Sequence, residues 1–130
     1  MRKIHLLLIS STLLCSGWIL SAQAADLEGD MLSLSSGLST VLTSDQGHEI
    51  EQALSQMRHA AQDAQKATPP SLAGSAPQSA AMQAWRSHFD LLLQRISDVD
   101  LLVKQGKLSE AKQSAQQIVL LRNQGHRQYR

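Results

Sequence analysis

Cysteine is almost missing from this chain: one in 130 residues, Cys15. No internal disulfide can form, and no Cys-x-x-Cys or Cys-x-x-Cys-His motif exists, which excludes thiolate zinc sites and ordinary covalent haem attachment. His-x-x-x-His and Glu-x-x-His spacings are also absent, so zinc and di-iron bundle sites lack ligands. No nucleophile elbow, phosphate loop or pair of inward carboxylates can be read, and the expectation is that the protein is not an enzyme. Aromatic residues make up 3% of the chain, β-branched residues are scarce, and the three prolines cluster at Pro69, Pro70 and Pro77. What is left is chiefly Leu, Ala, Ile, Val and Met, a helical composition with no strand pattern and no internal repeat.

The first residues read as an export signal. Arg2 and Lys3 precede an apolar run from Leu6 to Leu20, and Ala22-Gln23-Ala24 is a small-x-small cleavage site. The run is short and broken by Ser10, Ser11, Thr12 and Ser16, which disfavours a membrane span. Leu14 before Cys15 is bulkier than lipoprotein processing accepts, so no lipid anchor is expected. The reading is therefore a cleaved signal peptide over residues 1–24, a periplasmic product, and one domain over residues 25–130. Cleavage removes Arg2 and Lys3, leaving 10 basic against 11 acidic residues. That balance gives no reason to expect nucleic acid or an anionic membrane as a partner.

Four apolar stripes at helical spacing follow. Leu27, Met31, Leu34, Leu38, Val41 and Leu42 predict a first helix from about Asp26 to Leu42, with Asp26, Glu28 and Asp30 suited to its positive end. Gly29 and Gly37 weaken this helix, so packing must hold it. After a turn over Thr43–Gly47, Ile50, Ala53, Leu54, Met57, Ala60, Ala61 and Ala64 mark the second, which Pro69 and Pro70 stop. Ser71 to Gln78 reads as one long loop. Ser79 can cap a third helix carrying Met82, Trp85, Phe89, Leu92, Leu93, Ile96, Val99 and Val103, with Gly106 as its stop. Leu108, Ala111, Ala115, Ile118, Leu121 and Arg122 mark the fourth. Short connections make successive helices antiparallel, and the expected fold is all-α, an up-down-up-down four-helix bundle.

In that topology Met31 and His126 share one end of the bundle at nearly equal depth, with Trp85 at a comparable level and Phe89 and Met57 about a turn deeper. A thioether facing an imidazole across an apolar gap is a donor set for six-coordinate haem iron. Two plainer readings stand beside it. A methionine on an apolar helical face is usually core filler, and a histidine in a last helical turn is often only a cation opposed to the helix dipole. Of the other histidines, His48 falls at the opposite bundle end, and His59 and His88 are expected in solvent.

Beyond these patterns, the chain resembles the cytochrome b562 family over essentially its whole exported length. The matching stretches are Ala25-Asp26-Leu27-Glu28 with Met31, Met57-Arg58, Asp63 to Pro70, Phe89-Asp90, Gly106-Lys107, Glu110-Ala111, and Arg122-Asn123 through His126 to Tyr129-Arg130. The resemblance implies one non-covalent haem b per chain, with iron held by Met31 and His126. The pocket positions fall on Leu34, Met57, Phe89 and Arg122, with Trp85 in place of a phenylalanine. It also implies one-electron carriage with unidentified redox partner proteins, no stable membrane association, and a monomer. Two departures stand out: Gly125 replaces a tyrosine, and Ser87-His88 stand where the family has histidine and glycine, a shift expected not to reach the iron. The alternative left open is a haem-free helical bundle acting as a binding or chaperone-like module.

Overall fold

The computed structural model describes the backbone of residues 16–130 and the side chains from Asp26 onward. Within that span the chain forms four α-helices: α1 (Ser16–Thr43), α2 (Gly47–Lys66), α3 (Ala80–Lys104) and α4 (Leu108–Gln128). Each helix packs on the next, and α1 closes the ring against α4, the most sparsely contacting of the four neighbouring pairs. The expected four-helix bundle is the observed fold. The signal-peptide reading falls on residues outside the described side chains, and for 1–15 outside the described residues altogether.

Helix α1 departs from expectation at its start. It runs unbroken from Ser16, ten residues upstream of Asp26, so Asp26, Glu28 and Asp30 lie inside the helix rather than at its positive end. The other boundaries follow local chemistry. Ala67 leaves α2 with extended backbone, as a residue two before a proline pair can, and Pro69 is buried. The stretch expected as pure loop begins with a short 3-10 turn, Pro70–Leu72. Ser79 caps α3, its hydroxyl accepting the Met82 amide at 3.2 Å. Gly106 ends α3 with φ +75°, and the amides of Gly106 and Lys107 return to the carbonyls of Val103 and Leu102, both at 2.9 Å. This is a Schellman closure, and it needs a residue free to adopt the left-handed region.

The core follows the four stripes. Val41, Ile50, Leu54, Met57, Ile96 and Val99 are fully buried, and Ala53, Ala61, Ala64, Ala111 and Ala115 let the backbones approach. Gly37 has a more specific role than weakening α1. A Cβ there would meet the Met57 side chain and come within 3.1 Å of the Ala53 carbonyl oxygen. The α1–α2 crossing is therefore close because Gly37 has no side chain. Polar ties pin the register: Lys112 Nζ lies 2.8 Å from Asp45, joining the second turn of α4 to the α1–α2 connection. Asp100, nearly buried on α3, takes Lys104 at 2.7 Å and Arg58 of α2 at 3.7 Å.

Candidate functional site

At the end formed by the first half of α1, the last turns of α2, the start of α3 and the last turns of α4, the core fails to close. A cavity of about 230 Å³ remains, walled almost entirely by apolar groups. Helical spacing explains who reaches it. From α1 come Leu27, Met31, Leu34 and Leu38, one every third or fourth residue. From α2 comes Met57, with Pro69 and Pro70 of the following segment closing the floor. From α3 come Trp85, His88, Phe89 and Leu92, from α4 Ile118, Leu121, Arg122, Gly125 and His126, and from just past its end Tyr129 and Arg130.

All seven residues singled out by sequence, Met31, Leu34, Met57, Trp85, Phe89, Arg122 and His126, line this one cavity. They differ in exposure. Met57, Trp85 and Phe89 are buried and form the inner wall, Met31 and Leu34 are half-buried, and Arg122 and His126 are exposed at the mouth. The histidine thus reaches the cavity from its rim, not from the core interior. Arg122 is held along α4 by the Asn123 side chain, at 3.2 Å from both its Nε and one terminal nitrogen.

The aromatic wall is fixed by more than packing. The Trp85 indole N–H donates to the Ala64 carbonyl at 3.1 Å, a group near the end of α2 with few helical partners. Its ring meets Phe89 edge-on at 4.7 Å and Tyr129 at 4.9 Å, nearly perpendicular. Gln65 reinforces the same seam, its amide donating to the Arg86 carbonyl at 2.9 Å and to Asp90 at 2.6 Å. Burial raises the Tyr129 pKa above the usual phenol value. The Ser71 hydroxyl donates to the Tyr129 carbonyl at 3.3 Å, bringing the segment after α2 against the end of α4.

His88 corrects an expectation. Instead of standing in solvent it is half-buried and lines the cavity, and burial lowers its pKa, so the imidazole is neutral near pH 7. Its sequence position beside the inward Phe89 points to solvent, and no signal on α3 alone indicates burial. His59 is exposed, as expected, and His48 is exposed at the far end of the bundle. A second, shallow depression lined by Asp26, Asp30, Asp63 and Lys66 lies on the α1–α2 side. There burial first, then Asp63 and Asp26, raise the Asp30 pKa. Among the described residues no group of three His, Cys, Asp or Glu side chains could hold a metal ion.

The cavity's chemistry is that of an apolar slot with two soft-to-borderline donors. A thioether enters from α1 and an imidazole from α4, the pair of neighbouring helices that touch least, and an arginine stands at the mouth. Such a donor set, with an aromatic wall and no carboxylate in the lining, fits haem iron and does not fit a hard cation.

Comparison with known proteins points the same way. The family model described as Cytochrome b562 matches residues 26–130. Two proteins of Yersinia pestis are similar along the chain. "Probable soluble cytochrome b562 1" is 38% identical over 107 residues, 82% of this chain and 84% of that protein. "Probable soluble cytochrome b562 2" is 38% identical over 131 residues and covers both chains completely.

Proposed function

Because this chain belongs to the cytochrome b562 family, we propose that it carries one non-covalent haem b between Met31 and His126 and serves as a periplasmic one-electron carrier. The observation that supports this reading most is the shared cavity: Met31 and His126 come from α1 and α4 into one apolar space. Bound there, haem would supply one-electron iron chemistry, with a thioether ligand favouring the reduced state relative to two imidazoles.

The chain's own residues divide the remaining work. Trp85, Phe89, Met57 and Leu34 keep water from the cavity, which suits a macrocycle and raises the strength of any charge interaction inside. Arg122, fixed by Asn123, places a permanent cation at the mouth, where it can meet a carboxylate. Met31 and His126 would both hold the iron, leaving no coordination site for a substrate, so the role would be carriage rather than catalysis. The first 24 residues act as the cleaved export signal and residues 25–130 form the haem-binding domain, a soluble monomer. Among the described residues no helix is long and apolar enough to cross a membrane. Cleavage after Ala24 would move Asp26, Glu28 and Asp30 from mid-helix positions of α1 into its first two turns, where negative charge nearest the new start is favourable.

Absorption spectra of the purified protein in both oxidation states test the reading. The expected result is a low-spin b-type spectrum that Met31→Ala and His126→Ala each abolish. A colourless protein that ignores added haemin would support a haem-free binding module instead, and retention of the low-spin reduced spectrum in both variants would refute the ligand assignment.

A further inference from the structure

The α3–α4 seam beside the cavity contains a contact with the form of a knob and a socket. Gly125 sits in the last turns of α4, immediately before His126, and an ideal Cβ on it would lie 2.8 Å from His88 Nε2, 3.4 Å from Cε1 and 3.6 Å from Cδ2. The His88 imidazole therefore occupies the space that any side chain at 125 would claim. It is held there on two further sides, perpendicular to Phe89 at 5.8 Å and inclined at 64° to Tyr129 at 6.3 Å. All four residues belong to the cavity lining.

A glycine three residues before a helix end ordinarily weakens it, because the last turn has few bonds to lose and glycine has the most freedom to lose them. Here the ring on α3 supplies the restraint that the glycine backbone lacks.

We propose that His88 is a positioning residue: seated on Gly125, it sets the last turn of α4 and so holds the His126 imidazole toward the cavity. The proposal rests on the haem reading for the consequence at His126, and on geometry alone for the contact. A neutral ring, as burial makes this one, suits an apolar wall. Glycine at 125 is then a requirement of the seat, and the ring is the part that yields when the seat is filled, because Nε2 is the free end of a side chain.

The test is a double-substitution cycle on the purified holoprotein with His88→Ala, Gly125→Ala and both, read by haem transfer to an excess of apoglobin, by the ferric spin state, and by thermal midpoint. Each single variant is expected to release haem about tenfold faster and to show a new high-spin fraction, the size of effect typical of losing a group that orients a metal ligand. In the His88→Ala background, Gly125→Ala should add nothing to release and should raise the midpoint by about 4 °C, since the three atoms nearest the added methyl are then gone and alanine is the better helix former. Additive effects of the two substitutions on release would overturn the proposal. So would single variants that lower the midpoint while leaving release rate and spin state unchanged, because that is the signature of a merely structural contact. If the wild-type protein takes up no haem, the functional reading fails at that point. The midpoint cycle then still decides the contact: it stands if Gly125→Ala reverses sign between backgrounds and falls if it does not.

Discussion

The two ends of this bundle are made of the same four helices and solve opposite problems. At the end that holds the α1–α2 and α3–α4 connections, Val41, Ile50, Leu54, Val99 and Val103 fill the interior almost without exposure, and alanines at 53, 111 and 115 bring the backbones together. Charges lock the outside, Asp45 with Lys112 and Asp100 with Lys104 and Arg58. At the other end the chain places Trp85, Phe89 and Tyr129, the Met31 sulfur and His126 imidazole, and a void. Small aliphatic groups can tile a narrow interior. The ring-lined end leaves a cavity instead, and gaps between apolar walls cost stability unless something fills them. One end supplies the folding energy that lets the other stay open.

Substitutions can break this division of labour. The largest expected effect on function is at the open end, where His126→Ala should weaken haem binding by more than the roughly 100-fold that losing a supporting partner of a ligand costs, measured by haemin titration, with little change in helix content. The largest expected effect on stability is at the closed end. Ile50→Ala should cost about 2–5 kcal/mol of unfolding free energy by denaturant titration, while the molecules still folded keep the wild-type spectrum. Gly37→Ala bears on both ends at once: the added methyl meets Met57 and the Ala53 carbonyl. It should cost about 1–3 kcal/mol and also disturb the cavity wall, visible as a shifted haem band.

The smallest effect lies at Asp45. Its hydrogen bond and charge interaction with Lys112 hold the carboxyl below the usual carboxylate range. A depressed pKa means that the folded state binds the proton less well than the unfolded state. The contribution is therefore present above the ordinary value and lost as pH falls through the depressed one. Asp45→Asn should lower the thermal midpoint slightly at neutral pH, and the difference from wild type should shrink in melts taken progressively below the ordinary carboxylate range.

Much of the closed end was legible in the sequence, because burial there obeys the same periodicity that defines each helix. Ile50, Leu54, Val99, Val103 and Ala111 sit where their stripes put them. Ser79 and Gly106 announced their boundaries through local hydrogen bonding and a positive φ. What could not be read depended on a second helix. Gly37 looked only like a weak point in α1, since its close approach to Ala53 is fixed by how α2 crosses. His88 looked solvated because one position along a helix turns a side chain by about 100°, and nothing on α3 says that α4 offers a glycine opposite. The extension of α1 upstream to Ser16 has no signal of its own in the sequence, because the apolar run before Asp26 does not share the amphipathic stripe that follows it.

The indole of Trp85 brings one more consequence. It is the one tryptophan of residues 26–130, anchored by its N–H to Ala64 and lining the cavity with its ring. Any chromophore absorbing in the near ultraviolet and blue that settled beside it would drain its excited state by energy transfer. The bundle thus contains its own optical gauge of occupancy, dark when loaded and fluorescent when empty, without an added label.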